Sequence, residues 1–201
     1  GSQITRIKPF FDATKKVVSL IPKLESLGVR IKYFDIGGGL GIRYKDENPP
    51  TPKELVNELL KIIPKNLEII CEPGRYIIGN SGILITKVLF NKTVRNKRFL
   101  IVDASMTDLI RPAFYDAYHN IVPISITDYK LQTTNFYDIV GPVCETSDFL
   151  GKQRLLPETK NGEYLVIECA GAYGFAMSSN YNSRLKSCEV LIDKDKSYLI
   201  R

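Results

Sequence analysis

The chain has 201 residues, 44% hydrophobic and 25% charged, enough for one large domain or two small ones around a substantial core. Its formal net charge is +6. The basic residues (Lys8, Lys15, Lys16, Lys45, Arg95, Lys97 and Arg98 among them) form no stripe interleaved with aromatics. That pattern argues against nucleic-acid binding and for a solvated basic surface that attracts anionic substrates.

The elements follow in chain order. Residues 9–27 carry apolar side chains at Phe10, Ala13, Val17, Leu20, Ile21, Leu24 and Leu27, which predicts one amphipathic helix closed by Gly28. Residues 31–36 read as a short buried strand running into Gly37-Gly38-Gly39-Leu40-Gly41. Thr51 as N-cap and Pro52 in the first turn open a second helix over residues 51–63. Residues 67–71 form the next strand, ending in Glu72-Pro73-Gly74-Arg75. Strand, helix and strand in this rhythm predict a parallel βα unit. Beyond about residue 77 the texture changes to β-type runs at 83–90, 99–103, 135–140, 164–167 and 189–192, separated by turn-rich stretches. A helix is expected only around residues 108–117.

The expected fold class is therefore α/β plus all-β, with an α/β piece over residues 1–76 and a β-barrel or sandwich over residues 77–201. Two βα units are too few for a closed (β/α)8 barrel, which takes ~250 residues. The chain is thus a fragment or an α/β remnant docked on a β domain, and the fragment is the stronger reading. An exposed parallel sheet edge would favour association.

Cys71, Cys144, Cys169 and Cys188 include no C-x-x-C pair, and His119 is the single histidine, so no metal site is expected. Dispersed cysteines without a signal peptide fit a reducing cytoplasm, and no apolar run reaches the ~20 residues of a membrane span. Cys71, Cys169 and Cys188 are expected in the core, and His119 is expected to be a satisfied surface residue. The two glycine-bearing strand ends are alike, and a backbone without side chains lets an anion approach closely. Barrel enzymes build a phosphate site from their last two βα loops, so a phosphate-bearing cofactor is expected here. A carboxylate such as Glu72 keeps a cofactor pyridine nitrogen protonated, and an arginine such as Arg75 binds a carboxylate in two-pronged fashion.

Five motifs then occur in a fixed order: Asp35-Ile36-Gly37-Gly38-Gly39, Cys71-Glu72-Pro73-Gly74-Arg75, Met106-Thr107-Asp108-Leu109-Ile110-Arg111-Pro112-Ala113-Phe114-Tyr115, Gly141-Pro142-Val143-Cys144-Glu145-Thr146-Ser147-Asp148 and Gly171-Ala172-Tyr173-Gly174-Phe175-Ala176-Met177. Together they resemble the pyridoxal-phosphate-dependent decarboxylases of the alanine-racemase-like fold, over essentially the whole chain. The stretch from Met106 to Tyr115 resembles the branch acting on meso-2,6-diaminopimelate, which yields L-lysine and carbon dioxide.

The resemblance implies that residues 1–76 are the C-terminal part of a pyridoxal-phosphate-binding (β/α)8 barrel. Residues 77–201 would be a C-terminal β domain contributing substrate and dimer-interface residues. It implies that Ser2, Gly39, Pro73, Gly74 and the backbone around Arg75 hold the pyridoxal 5'-phosphate, with Glu72 at the pyridine nitrogen and Tyr173 near cofactor and substrate. Arg75, Arg111 and Tyr115 would bind a substrate carboxylate, and Glu145 a substrate ammonium. Cys144 would be the catalytic proton donor, a role open to a thiol because it is largely protonated at neutral pH. Cys144 and Glu145 would reach the cofactor of a partner subunit, so a homodimer with shared active sites is implied. The family's cofactor-binding lysine lies upstream of these motifs, so the chain alone is expected to be inactive. Decarboxylases of ornithine, arginine or carboxynorspermidine are rivals, as is a non-catalytic dimerising homologue. Glu145 and the stretch from Arg111 to Tyr115 favour a substrate with a second amino-acid head group.

Overall fold

A computed structural model describes residues 1–124 and 133–201. The chain divides into two compact units, Gly1–Gly79 and Asn80–Arg201.

In the first unit, α1 (Ile7–Val18) and α2 (Ile21–Ser26) precede β1 (Tyr33–Asp35), and α3 (Pro52–Leu59) precedes β2 (Glu68–Ile70) and the short α4 (Gly74–Ile78). The strands β1 and β2 pair in parallel, Phe34 opposite Ile69, as the sequence rhythm predicts. The single helix expected over residues 9–27 is two helices. Pro22, lacking an N–H, sits in the first turn of α2 and restarts the helix. The break resets the helical phase, so Phe10, Thr14 and Ile21 turn inward while Val17, Leu20, Leu24 and Leu27 stay exposed. Phe10 and Ile21 pack with Phe34, Leu55 and Leu59. Helix α3 begins where expected. The Thr51 hydroxyl accepts from the Glu54 N–H at 3.2 Å, and the Glu54 carboxylate accepts from the Thr51 N–H at 2.7 Å, a reciprocal cap that satisfies two otherwise orphaned donors.

In the second unit six strands form one sheet in the order β5-β8-β3-β4-β6-β7. They are β3 (Leu84–Val94), β4 (Lys97–Val102), β5 (Ile121–Pro123), β6 (Thr134–Val140), β7 (Phe149–Pro157) and β8 (Tyr164–Ile167). Among the described residues of this sheet only β4 and β6 pair in parallel. The two edge strands come together: a Cβ on Gly151 of β7 would stand 2.9 Å from the Ile121 side chain of β5. The six-stranded sheet is nearly closed into a barrel, and the sandwich alternative drops out because its own two edges meet. Val88, Leu100, Tyr137, Ile139, Leu165 and Ile167 fill its interior, each on an inward-facing position of a period-2 strand. A helix α5 (Arg111–Tyr115) lies between β4 and β5 and is shorter than expected, because Asp116 adopts a left-handed conformation at φ 50° and ends it. A separate hairpin, β9 (Val190–Asp193) with β10 (Lys196–Leu199), is exposed along its whole length.

Two positions on β6 give opposite expectations. Ile139 is fully buried and Phe136 is 58% exposed. Replacing Ile139 with Ala is expected to destabilise the chain by about 2–5 kcal/mol in urea titrations, and Phe136→Ala by about 0.5 kcal/mol or less.

Candidate functional site

In the first unit the two strand-end loops lie side by side. The Glu72 N–H donates to the Gly37 carbonyl at 3.0 Å, and the Ile36 N–H to Ile70 at 3.0 Å. A Cβ on Gly38 would sit 2.4 Å from the Glu72 carbonyl oxygen, and one on Gly39 2.5 Å from the Gly1 carbonyl oxygen. Gly39 also holds φ at +99°, so both position and conformation demand glycine there. The N-terminal residues close against the same turn, with the Ile4 N–H donating to the Gly39 carbonyl at 2.8 Å.

Arg75, buried at the start of α4, braces this corner. Its Nε donates to the Ser2 carbonyl at 2.6 Å and its Nη2 to the Ser2 hydroxyl at 2.9 Å. Its Nη1 donates to the Tyr44 hydroxyl at 2.6 Å. Ser2, Gly39, Glu72, Pro73, Gly74 and Arg75 are thus brought together on one set of loops, with the Glu72 side exposed. A Cβ on Gly74 would meet nothing within 4 Å, so this rim is open and free of side chains, which fits a phosphate-bearing group. Tyr44 was not legible as part of the site, since only the folded chain brings it to Arg75.

In the second unit the turn from Ser105 to Asp108 is a hub. The Asp108 carboxylate accepts from the Ser105 N–H at 2.9 Å and from the Ser187 hydroxyl at 2.5 Å. The Arg184 guanidinium stands 3.8 Å away. One residue along, the Met106 N–H donates to Asp148 Oδ1 at 2.7 Å, while Asp148 Oδ2 accepts from the Val143 N–H at 2.7 Å. This one buried carboxylate therefore closes the 141–148 loop and ties it to the hub. Cys144 and Glu145 are exposed on that loop, and the Glu145 carbonyl accepts from the Asp148 N–H at 3.0 Å. The Ser179 N–H donates to the Thr107 carbonyl at 3.0 Å, which attaches the segment following Tyr173. Tyr173 itself is partly exposed at φ +63°, a left-handed conformation uncommon for a tyrosine. Two of the motifs that sequence reading singled out, 106–115 and 141–148, meet in one hydrogen-bonded network, and the chain just beyond the third joins it at Ser179.

Arg111 is buried, its Nη1 2.7 Å from His119 Nε2. Tyr115, one turn on, is exposed and packs edge-on against Phe114 at 4.7 Å between ring centroids. His119 is fully buried, contrary to the surface placement expected, because it has polar partners on both ring nitrogens. The core placement of three cysteines is also corrected: Cys71 and Cys188 are exposed and Cys169 is half-buried, each standing just beyond a strand end. Asp148 belongs to a motif noted in the sequence, yet nothing in its spacing announced its structural part.

Burial pushes the Asp148 carboxyl above its ordinary range, against the pull of the Met106 and Val143 N–H groups and of Arg184, while the charge of Asp108 pushes it further up. Among the described residues, no helix is long and apolar enough to cross a membrane and no cluster of His, Cys, Asp or Glu could hold a metal ion.

Residues 17–171 match the family model described as pyridoxal-dependent decarboxylase, C-terminal sheet domain. The chain is 50% identical over 203 residues to a diaminopimelate decarboxylase of Vibrio cholerae, covering 100% of this chain and 48% of that protein. The curated protein of the same name from Aquifex aeolicus is 52% identical over 204 residues, again with 100% of this chain and 48% of that protein covered. The crystal structure of diaminopimelate decarboxylase from Helicobacter pylori complexed with L-lysine superposes with a TM-score of 0.92 at 42% identity, over 100% of this chain and 49% of that one. The chain spans about half the length of the curated relatives it matches.

The raised carboxyl of Asp148 makes a signed prediction. Between the ordinary value of 3.8 and its raised value, the folded chain binds more protons at this site than the unfolded chain. Its contribution to stability therefore falls as pH rises through that window. Urea titrations across pH should show the stability of the native chain relative to Asp148→Asn declining as pH rises above 3.8. A difference that grows with pH would contradict the assignment.

Proposed function

We propose, because the chain belongs to the pyridoxal-dependent decarboxylases, that it supplies the C-terminal half of an enzyme converting meso-2,6-diaminopimelate to L-lysine and carbon dioxide. The observation that carries this reading is the Asp148 clamp, which joins the 141–148 loop to the segment leading into Arg111 and Tyr115. The relatives that match the chain over its whole length support the choice of substrate.

Ser2, Gly39, Pro73, Gly74 and the backbone near Arg75 would hold the phosphate of pyridoxal 5'-phosphate, and Glu72 would serve its pyridine nitrogen. When bound, that cofactor supplies an electron-accepting ring, which makes loss of carbon dioxide from the α-carbon feasible. The protein's own residues do the rest. Arg111 and Tyr115 hold substrate carboxylate, the Arg111 guanidinium offering donors to its oxygens, whereas the Arg75 guanidinium is engaged by Ser2 and Tyr44 and keeps only its part at the phosphate corner. Glu145 accepts from the substrate ammonium, and Tyr173 flanks substrate and cofactor.

As the bond from the α-carbon to the carboxylate breaks and carbon dioxide leaves, that carbon needs one proton on one face. The Cys144 thiol delivers it, forming the new C–H bond, and solvent returns a proton to the thiolate. Fixing the loop through a buried carboxylate limits the directions from which the proton can arrive.

Cys144 and Glu145 act on the active site of a second subunit, so the working form is a cytoplasmic homodimer. The first unit is the closing segment of a (β/α)8 barrel. Its parallel pair β1–β2 and the exposed Val17, Leu20, Leu24 and Leu27 on α1, α2 and their flanks suit a surface completed by further βα units. The lysine that would hold the cofactor is assigned to no residue of this chain.

The test is carbon dioxide release by the full-length protein from meso-2,6-diaminopimelate, ornithine and arginine. Turnover is expected on the first alone, and Cys144→Ala is expected to lower it by about 10²–10⁴-fold. The purified 201-residue chain is expected to show none. Turnover on ornithine or arginine in place of diaminopimelate, or an unaffected Cys144→Ala enzyme, would overturn the proposal.

A further inference from the structure

We infer that His119 is a positioning residue that holds the Arg111 guanidinium in place for a substrate carboxylate, as a neutral imidazole with its proton on Nδ1. The inference rests on the carboxylate-binding role proposed for Arg111.

The proton assignment follows from the partners. His119 Nδ1 lies 2.8 Å from the Glu168 carbonyl oxygen, which can only accept, so Nδ1 carries the hydrogen. His119 Nε2 lies 2.7 Å from Arg111 Nη1, which can only donate, so Nε2 presents its lone pair. A second proton on the ring would set N–H against N–H in a site with no solvent, since His119 is 0% exposed and Arg111 7%. The imidazole is thereby fixed in tautomer and in orientation.

The ring is anchored on its far side as firmly as it anchors. The Glu168 N–H donates to the Asn120 carbonyl at 2.9 Å, and Asn120 Nδ2 donates to Glu168 Oε2 at 3.0 Å. Directly beyond, β5 pairs with β8, Ile121 opposite Ile167. His119 therefore links Arg111 on a helix of five residues to the barrel sheet. So short a helix has little rigidity of its own. Glu168 also begins the segment that leads to Tyr173. One imidazole thus references the guanidinium to the same strand end that places the tyrosine. This is the arrangement by which a buried partner orients a ligand-binding group without touching the ligand.

Two substitutions separate positioning from mere packing. Glutamine carries an acceptor oxygen at the reach of Nε2, so His119→Gln retains the bond from Arg111. Asparagine ends at the reach of Nδ1, so His119→Asn can keep the donor to Glu168 but withdraws the acceptor from Arg111. In the full-length enzyme, His119→Asn is expected to raise KM for meso-2,6-diaminopimelate about tenfold or more, with kcat changed less than KM. His119→Gln is expected to return KM to within about threefold of native.

Equal KM values for the two variants, whether both native-like or both impaired, would overturn the inference. So would a change confined to kcat. Neutron diffraction from the native full-length enzyme decides the case even where a variant does not fold. Deuterium on Nδ1 and none on Nε2 supports the lock, and deuterium on Nε2 refutes it. If the native enzyme releases no carbon dioxide from diaminopimelate, the functional reading fails, and the proton positions still judge the contact itself.

Discussion

A polar group taken out of water has to find a partner, and in this protein the partners it finds decide where the exposed side chains of the motifs stand. Asp148 shows the constraint most plainly. Its carboxylate is almost wholly buried and both its oxygens take main-chain N–H groups, from Met106 and Val143. A carboxylate accepting two such bonds cannot move without orphaning two donors. The exposed tip with Cys144 and Glu145 is therefore a consequence of a buried charge next to it. Gly141 completes the fit, for a Cβ there would lie 2.4 Å from Asp148 Oδ2.

The same logic recurs at the other buried polar side chains. Arg75 is held by Ser2 and Tyr44 and in turn holds the N-terminal residues against the Gly39 turn. His119 is held by the Glu168 carbonyl and meets Arg111. In each case a buried polar side chain is held by a partner far away in the sequence. Within the second unit, the supports of Asp148 and His119 stand beside the barrel core, whose Leu100, Ile139 and Leu165 are fully buried. A packed sheet gives these supports a rigid reference, which loops alone would not.

How much of this the sequence disclosed depended on the range of the interaction. Strand β8 was legible to its ends, because Tyr164-Leu165-Val166-Ile167 is an unbroken β-type run beside the Asn161-Gly162 turn. The cap of α3 was legible because Thr51 and Pro52 act within one turn. Strand β7 was not, since Gly151, Lys152, Gln153 and Arg154 interrupt its apolar pattern and Gln153 takes φ +50°. Strand β5 has three residues and ends in Pro123, too short for any period to register. The motifs named Cys144, Arg111 and the glycine turns as candidates from the sequence alone. The supports were hidden because their partners are remote: Tyr44 from Arg75, Glu168 from His119, Met106 from Asp148. No local pattern encodes a pairing that only tertiary folding creates.

The central claim is that these buried pairings present the exposed groups to an amino-acid ligand. A crystal structure of the full-length protein with pyridoxal 5'-phosphate and L-lysine tests it most directly. The account predicts the Arg111 guanidinium within hydrogen-bond distance of the ligand while still bonded to His119 Nε2, and Ser2 and Gly39 around the phosphate. A ligand seated away from Arg111, or a phosphate held by other loops, would contradict it.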